Sequence, residues 1–271
     1  MTEPLLEARG IVKRFGHVRA LHGADFAASA GEVIALIGDN GAGKSTLVKV
    51  LSGTLQPDGG EIRFEGRRVA LPSPVAARSL GIETVYQDLA LAPDLDSAAN
   101  LFLGREQVRT GVLGWFGLLD NKAMRRQTDD SFRSLGIGVQ TTTAAVKSLS
   151  GGQRQSVAVS RAVTWANKVL FLDEPTAALG VVATGKVLDL IRRVRDQGLA
   201  VVLVSHNMPE VLQVSDRIEV LRLGRRVATF KASKASMEDL VGAMTGAISQ
   251  AARPADSSGQ AVDSRSDQGV G

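Results

Sequence analysis

Short apolar runs that are rich in β-branched residues predict the strands of this chain. Polar or glycine-containing segments bound each run, and runs of this length are typical of buried strands rather than of amphipathic helices. Looser alternation of apolar and polar residues predicts further strands near both ends of the chain. The predicted strands lie at residues 5–12, 18–28, 33–37, 62–64, 69–71, 82–86, 169–172 and 199–204, and residues 217–230 are predicted to form an edge hairpin.

Helical spacing of apolar residues replaces this strand pattern between residues 89 and 149. We interpret residues 89–165 as a helical subdomain that is inserted into a sheet domain. Inside it, residues 112–119 are apolar but interrupted by glycine, and we favour a loop folded onto the subdomain over an exposed docking patch. Helices are predicted at residues 98–103, 121–135, 151–166, 181–196 and 237–244, and a short one after the Ser73-Pro74 cap.

The last residues, 247–271, are mostly Ala, Ser, Gln, Asp and Gly, with almost no bulky side chain. Such a segment cannot bury enough apolar surface to offset the entropy lost on ordering. We therefore expect a single folded domain over residues 5–246 and a disordered C-terminal tail. The mixture of strands and helices places the folded part in the α/β class.

Composition bears on three properties of the protein: disulfides, membrane spans and charged partners. The chain has no cysteine, so disulfides and thiolate metal sites are excluded. No apolar run approaches the roughly 18 residues that span a bilayer, and the N-terminus does not resemble a signal peptide. Any membrane association is therefore expected through a partner. The net charge of +4 would suit nucleic acid or anionic lipid, but scattered surface arginines explain it equally well.

A glycine-rich stretch with the pattern G-x-x-x-x-G-K-[ST] lies between a predicted strand and a predicted helix. Glycines let the backbone wrap a phosphate group, and the helix N-terminus adds partial positive charge. In this pattern Lys44 reaches the β- and γ-phosphates, while the Ser45 hydroxyl is a ligand of Mg²⁺. The stretch reads Gly38-Asp39-Asn40-Gly41-Ala42-Gly43-Lys44-Ser45-Thr46.

Polar residues at the ends of three other predicted strands are candidates for the chemistry of hydrolysis. Asp173 is expected to hold the Mg²⁺ that Ser45 also contacts, and Glu174 beside it is a candidate general base for an attacking water. Gln87 can offer an amide oxygen to the metal or the water, and His206 can donate a hydrogen bond to the γ-phosphate. Strands of an α/β sheet present their carboxyl ends to one ligand, so these residues are predicted to converge.

Two further features extend the predicted nucleotide site. Phe15 precedes the glycine-rich stretch and could stack on adenine, although a lone aromatic is more often part of a core. The sequence Leu149-Ser150-Gly151-Gly152-Gln153 opens a predicted helix, where it would form an anion site. From average residue frequencies, a chance occurrence of these five residues is below about one in a thousand.

Taken in this order, the motifs resemble those of the nucleotide-binding subunit of an ATP-binding-cassette (ABC) transporter over residues 5–244. The resemblance implies a P-loop cassette with a mixed sheet core, an antiparallel β-subdomain and the inserted helical subdomain. It implies that Phe15 stacks adenine, that Gln87 couples the metal site to a membrane partner, and that Ser150 and Gly152, with Gly151 and Gln153, bind the γ-phosphate of ATP. The family's fold carries this signature away from its own glycine loop, which implies a homodimer with two composite ATP sites.

The resemblance is strongest to importers of monosaccharides such as fructose, ribose and xylose. It rests on residues 52–60, residues 85–91 and an Ala-Ala-Leu segment that ends in Gly180, where most of the family has aspartate. Many such importers fuse two cassettes, but this chain has one set of motifs. The implied partners are permease subunits at the cytoplasmic face of the inner membrane and, indirectly, an external sugar-binding protein.

Other functions remain open at this point. The same cassette could import or export a substrate that is not a sugar, or could serve a process other than transport. DNA-repair relatives insert long coiled coils, and ribosome-binding relatives carry two cassettes with a charged linker; neither pattern occurs here. We therefore expect no nucleic-acid partner. A GTPase or small-molecule kinase shares the glycine-rich stretch but would not need the signature.

Overall fold

The computed structural model of the protein describes residues 4–111, 115, 117–137, 142–177 and 179–247. The segment for which disorder is predicted lies outside the described residues, except for its first residue. Within the described residues, no helix is both long enough and apolar enough to cross a membrane.

Ten strands form two sheets in the described part of the chain. The first sheet is antiparallel with strand order β2-β1-β4-β5, and the second has the order β10-β9-β3-β8-β7-β6. In the second sheet all neighbours are parallel except β9 and β10, so this sheet is mixed. The strands are β1 Leu6–Phe15, β2 Val18–Ala28, β3 Val33–Ile37, β4 Gly59–Phe64, β5 Arg67–Val69, β6 Ile82–Val85, β7 Val169–Asp173, β8 Ala200–Val204, β9 Arg217–Arg222 and β10 Arg225–Lys231.

Helices connect these strands and cover the mixed sheet. The described helices are α1 Lys44–Leu51, α2 Pro74–Ser79, α3 Ser97–Phe102, α4 Asn121–Leu135, α5 Gly151–Trp165, α6 Val181–Asp196, α7 Met208–Val214 and α8 Met237–Thr245, with 3₁₀ turns at Val146–Ser148 and Ala232–Lys234.

The central strands are apolar on both faces because both faces of the mixed sheet are covered. Strands β3 and β8 are buried along their whole length, and β7 is buried up to its last residue. One face packs on α1 and the antiparallel sheet, and the other packs on α5 and α6. Continuous apolar runs are typical of such doubly covered parallel strands, and the predicted α/β class is confirmed.

The inserted helices have a small core of their own. Phe102 of α3 packs with Met124 and Phe132 of α4 and with Val157 of α5. Helix α5 also contributes to the core beneath the mixed sheet, so it joins the two regions. The bounds of 89–165 for a helical subdomain stay a prediction that this packing supports.

The structure corrects two expectations from the sequence and confirms a third. Helix α7 was not predicted, although Asn207 is of a type suited to the N-cap and Pro209 to the first turn of a helix. Residues 217–230 form the predicted edge hairpin: β9 and β10 pair antiparallel at one edge of the mixed sheet, with β10 as the outermost strand. Residues 112–114 and 116 lie outside the described residues, but Trp115 is 87% exposed and Leu118 and Leu119 are also exposed, so these three side chains do not pack on the subdomain as expected.

Candidate functional site

The glycine-rich stretch lies between β3 and α1, as the sequence predicts. Gly38 has φ +152°, and a Cβ there would lie 2.1 Å from the carbonyl oxygen of Leu221 in β9. The neighbouring strand therefore requires a glycine at the start of the loop. Gly43 is the N-cap of α1. The amides of the first helical turn, which have no partner within the helix, therefore directly follow the amides of the glycine-rich loop.

The Lys44 side chain folds back over this loop. Its ammonium group donates hydrogen bonds to the carbonyl oxygens of Gly38 (2.6 Å) and Asp39 (3.0 Å). Burial lowers the pKa of Lys44, while the carboxylates of Glu174, Asp39 and Asp173 act in the opposite direction. A half-buried cation that carbonyl groups and carboxylates surround is placed to bind the phosphates of a nucleotide.

Phe15 lies beside the loop. It lines a groove of about 410 Å³ together with residues of β2 and of the glycine-rich stretch. About half of the Phe15 side chain is exposed, so the ring can stack on a flat ligand. The sequence did not predict that Val18, Arg19 and Ala20 of β2 line this groove. They reach it because the tight β1–β2 hairpin pairs Phe15 directly with Val18.

Asp173 and Glu174 follow the buried part of β7. The pKa of Asp173 is raised by burial and by the neighbouring Glu174 carboxylate, and Lys44 and Lys49 offset part of this effect. A divalent cation at this position would stabilise the charged form of Asp173, so the residue fits a Mg²⁺ ligand. No cluster of three or more His, Asp or Glu side chains in the described residues could hold a metal alone. A Mg²⁺ ion that also binds phosphates needs only one or two protein carboxylates.

Glu174 and His206 are in direct contact. The His206 Nδ1 atom lies 2.8 Å from Glu174 Oε1. Glu174 has a left-handed backbone with φ +50°, and its N–H donates to the carbonyl oxygen of Val204 at the end of β8. The adjacent strand ends therefore bring together a carboxylate and an imidazole, as predicted. Glu210, which the sequence analysis missed, supports this edge by accepting hydrogen bonds from Thr176 and Asn207.

Gln87 lies two residues after the end of β6 and is exposed. Strand β6 pairs with β7, so Gln87 leaves the same edge of the sheet as Asp173 and Glu174. The chain then turns at Ala90, which has φ +47°. This placement agrees with the expected position of Gln87, and its role stays a prediction.

The signature begins α5. Ser150 Oγ accepts a hydrogen bond from the N–H of Gln153 (3.3 Å), and Gln153 Oε1 accepts one from the N–H of Ser150 (2.9 Å). These two hydrogen bonds form a capping box at the start of α5, in which the Gln153 side chain is bonded to the backbone of Ser150. A cavity of about 410 Å³ opens here between the first turns of α5 and α6, lined by Ile137, Ser150, Gly152, Gln153, Ser156, Val182, Ala183 and Lys186.

The signature cavity and the Phe15 groove have no lining residue in common. The structure therefore brings Phe15, the glycine-rich stretch, Asp173, Glu174 and His206 to one region and leaves the signature in another. Gly180 directly precedes α6, whose first turn lines the signature cavity. This is the position at which the sequence departs from the aspartate expected from the resemblance. A Cβ there would meet nothing within 4 Å, so packing does not explain the departure.

A third cleft runs along β6, from the inserted helices on one side to α1 and α2 on the other. Two cavities of about 210 and 440 Å³ share Arg78, Glu83 and Thr84, and together we call them the Glu83 cleft. The Glu83 carboxylate is buried and paired with Arg105 (2.7 Å) and Arg78 (3.4 Å). The cleft therefore combines an ion cluster with the apolar side chains of Leu101, Leu103 and Trp165.

Comparison with known proteins gives a consistent result. Residues 21–177 match the family described as ABC transporter. The chain is 53% identical over 247 residues to the fructose import ATP-binding protein FrcA of Rhizobium meliloti, a match that covers 90% of this chain and 95% of the relative. It is 46% identical over 241 residues to the xylose/arabinose import ATP-binding protein XylG of Sulfolobus acidocaldarius, covering 89% and 94%. A ribose import ATP-binding protein of Rubrobacter xylanophilus is 44% identical over 243 residues, a match that covers 90% of this chain and 47% of that longer relative.

Solved structures share the fold. A nucleotide-free ATP-binding cassette from an ABC transporter superposes with a TM-score of 0.71 and 25% identity, covering 90% of this chain and 96% of the other. A dimeric cassette in a post-hydrolysis state, bound to ADP and phosphate, superposes with a TM-score of 0.68 and 21% identity, covering 84% and 98%.

Proposed function

The chain belongs to the ABC transporter family, and we propose that it is the ATP-hydrolysing subunit that powers monosaccharide import through a separate membrane permease. The observation that carries the proposal is the 53% identity, over almost the full length of both chains, to a fructose import ATP-binding protein. The relatives named for xylose/arabinose and ribose import point to the same class of substrate.

The residues of one subunit account for nucleotide binding. Phe15 stacks on adenine, and the amides of the glycine-rich stretch with the Lys44 ammonium bind the phosphates. Ser45, Gln87 and Asp173 would hold a Mg²⁺ ion, which would supply positive charge that stabilises the phosphates. Burial lowers the pKa of Lys44 in the free chain. A bound triphosphate raises it again, because the added anionic charge favours the protonated amine.

Glu174 acts as the general base in this proposal. Its carboxylate takes a proton from the water that attacks the γ-phosphorus, while the bond from that phosphorus to the bridging oxygen of ADP breaks. His206 lies 2.8 Å from the same carboxylate, so it orients Glu174 and can also donate to a γ-phosphate oxygen. The strained backbone of Glu174 fixes the direction of the side chain before substrate arrives.

The ATP site is completed by a second copy of the chain. Within one chain the signature lines a cavity separate from the Phe15 groove. In a symmetric pair, Ser150, Gly151 and Gly152 of one copy close over the γ-phosphate bound by the other, with Gln153 fixing the cap of the helix. ATP then holds the two copies together, and hydrolysis releases them.

The permease docks in the Glu83 cleft. This cleft is open to solvent and includes Tyr86, the residue before Gln87, and one of its two cavities lies between β6 and the inserted helices. A cytoplasmic segment of the permease that enters it places the chain at the cytoplasmic face of the inner membrane. An external sugar-binding protein contributes indirectly by delivering the sugar to the permease, and nucleic acid has no part in the cycle.

The decisive experiment is to isolate the chain with its membrane permease and to measure ATP hydrolysis in lipid vesicles. Hydrolysis is expected to rise when fructose, ribose or xylose is supplied with its external binding protein, and not with amino acids or peptides. Stimulation by a substrate that is not a sugar would keep the transport ATPase but overturn the sugar assignment. Failure to associate with any permease would overturn the transport role.

A further inference from the structure

We propose that Arg161 is a positioning residue that ties the Gln87 segment to the helix that carries the signature. Arg161 lies in α5, eleven residues after Ser150. Its Nη1 donates to the carbonyl oxygen of Ala90 (2.8 Å) and its Nη2 donates to that of Leu89 (2.9 Å). One guanidinium group therefore holds two consecutive carbonyls, which lie two and three residues after Gln87.

The surroundings of Arg161 explain why these two hydrogen bonds matter. The side chain is half-buried in the Glu83 cleft, where burial and the nearby Arg78 lower its pKa and Glu83 raises it. The two carboxylate oxygens of Glu83 already pair with Arg105 and Arg78. Arginine nevertheless keeps its charge in a protein, and a partly buried charge needs hydrogen-bond partners. The carbonyls of Leu89 and Ala90 fill that need.

The other side of the contact is strained. Ala90 is not a glycine, yet it has a left-handed backbone with φ +47°. Such a conformation persists only when the surrounding structure holds it. Arg161 binds the carbonyl of this very residue, and the Ala90 N–H lies 3.4 Å from Asp88 Oδ1. Releasing Arg161 should therefore relax the turn that follows Gln87.

Helix α5 converts this local contact into a connection between two sites. It is a 15-residue helix, with the Ser150 cap at its start. Near its end, Trp165 Nε1 donates to the carbonyl oxygen of Leu101. The helix is therefore hydrogen-bonded to residues 89–101 at two places, through Arg161 and through Trp165. Because a packed helix moves as a rigid element, displacement of this segment carries the signature with it. Only the roles of Gln87 and Ser150 rest on the proposed function.

The first test measures hydrogen exchange in the full-length protein without nucleotide. Arg161→Lys keeps the charge but cannot donate along two directions of a fork, and Arg161→Ala removes both bonds. We expect amide exchange in peptides covering residues 88–92 to be at least tenfold faster in both variants, with peptides of the glycine-rich stretch unchanged. Arg133→Ala is the control, because Arg133 is exposed on α4 and pairs only locally with Asp130. Unchanged exchange at residues 88–92 in folded Arg161→Lys would overturn the proposal.

The second test separates positioning from direct binding of ATP. In Arg161→Lys we expect the KM for ATP to stay within about twofold while kcat falls at least tenfold, since the nucleotide site is intact but the signature is no longer tied to Gln87. A rise in KM with unchanged kcat would mean that Arg161 acts on nucleotide binding, against the proposal. Absence of hydrolysis in the unmodified protein would instead count against the proposed function, and the exchange experiment would still decide the role of Arg161.

Discussion

The Glu174 side chain illustrates how residue type and backbone conformation act together in this site. A glutamate with φ +50° is rare, and its N–H is fixed by the carbonyl oxygen of Val204. Its carboxylate contacts His206 at 2.8 Å. Strain of this kind is maintained where side-chain direction matters, which agrees with a role as general base.

Replacing Glu174 by glutamine tests that role. Glutamine has nearly the same shape but cannot accept the proton of the attacking water, so turnover should fall by on the order of 10²-fold or more. ATP binding should be retained, and a dimer with bound ATP should accumulate on size-exclusion chromatography. Asp189→Asn, a change of an exposed carboxylate on α6, serves as the control. Near-normal hydrolysis by Glu174→Gln would refute the assignment.

At the scale of elements, the signature depends on how closely α5 and α6 approach. A Cβ on Gly152 would lie 2.7 Å from the Cβ of Ala183, closer than two carbon atoms can pack. Gly152 is therefore required by helix packing as well as by the predicted phosphate contact. Gly185, two residues further along α6 than Ala183, faces open space, and a Cβ there would meet nothing within 4 Å.

These two glycines give a matched pair of substitutions. Gly152→Ala should destabilise the nucleotide-free protein by roughly 1–3 kcal/mol, because α5 and α6 must move apart. Gly185→Ala should stabilise it by about 0.5–1 kcal/mol, because glycine is unfavourable inside a helix. Urea denaturation without nucleotide checks both signs. Equal effects of the two changes would show that the predicted clash is absent.

For the whole molecule, the central question is how two separate cavities act on one nucleotide. The Phe15 groove and the signature cavity share no lining residue in one chain. Val181 and Val182, which follow Gly180 at the start of α6, are exposed beside the signature cavity. Pairing of two copies would explain both observations.

Mixing two defective subunits tests the pairing directly. Lys44→Ala damages the phosphate loop, and Ser150→Arg fills the signature cavity with a long cation. In a mixed dimer one composite site carries both defects and the other carries neither, so ATP hydrolysis should return. Differently tagged subunits allow the mixed dimer to be purified and assayed against each parent. If mixed dimers form but stay inactive, shared sites capable of acting singly are ruled out.

Docking of the permease also belongs to this scale, and it needs an exposed apolar residue in the segment that follows Gln87. Leu91 does not suit this role, because it is half-buried and packs on two hydrophobic clusters. Leu103, at the rim of the Glu83 cleft, is 49% exposed. It is therefore the apolar residue of this segment that a partner can reach with least disturbance to the fold.

A charge at Leu103 should weaken assembly with the permease. A buried aliphatic contact contributes roughly 1.5–3 kcal/mol, so Leu103→Glu should lower recovery of the co-purified complex by tenfold or more. ATP hydrolysis by the free subunit should be unaffected. Val241→Glu, at a comparably exposed valine on α8, is the control. Unchanged assembly of Leu103→Glu would place the docking surface elsewhere.

The sequence by itself determined the elements and the chemistry that depend on neighbouring residues. The local signals are the apolar runs of β3, β7 and β8, the Ser73 cap, the helix that the signature opens and the G-x-x-x-x-G-K-[ST] pattern. Each was found at its expected place. Periodicity and capping act within one or two turns of chain, so they can be read without the fold. Short α7 was missed because its seven residues offer too little periodicity.

The strand pattern predicted that the strand ends would converge, but only the tertiary structure decided the individual contacts between distant segments. The contact of His206 with Glu174 spans 32 residues, and that of Arg161 with Leu89 and Ala90 spans about 70. Whether Leu91 or Leu103 is exposed, and why Gly152 must be a glycine, also depends on which helices pack together. Each of these facts is set by close packing and hydrogen bonding across the folded chain, which no pattern of nearby residues records.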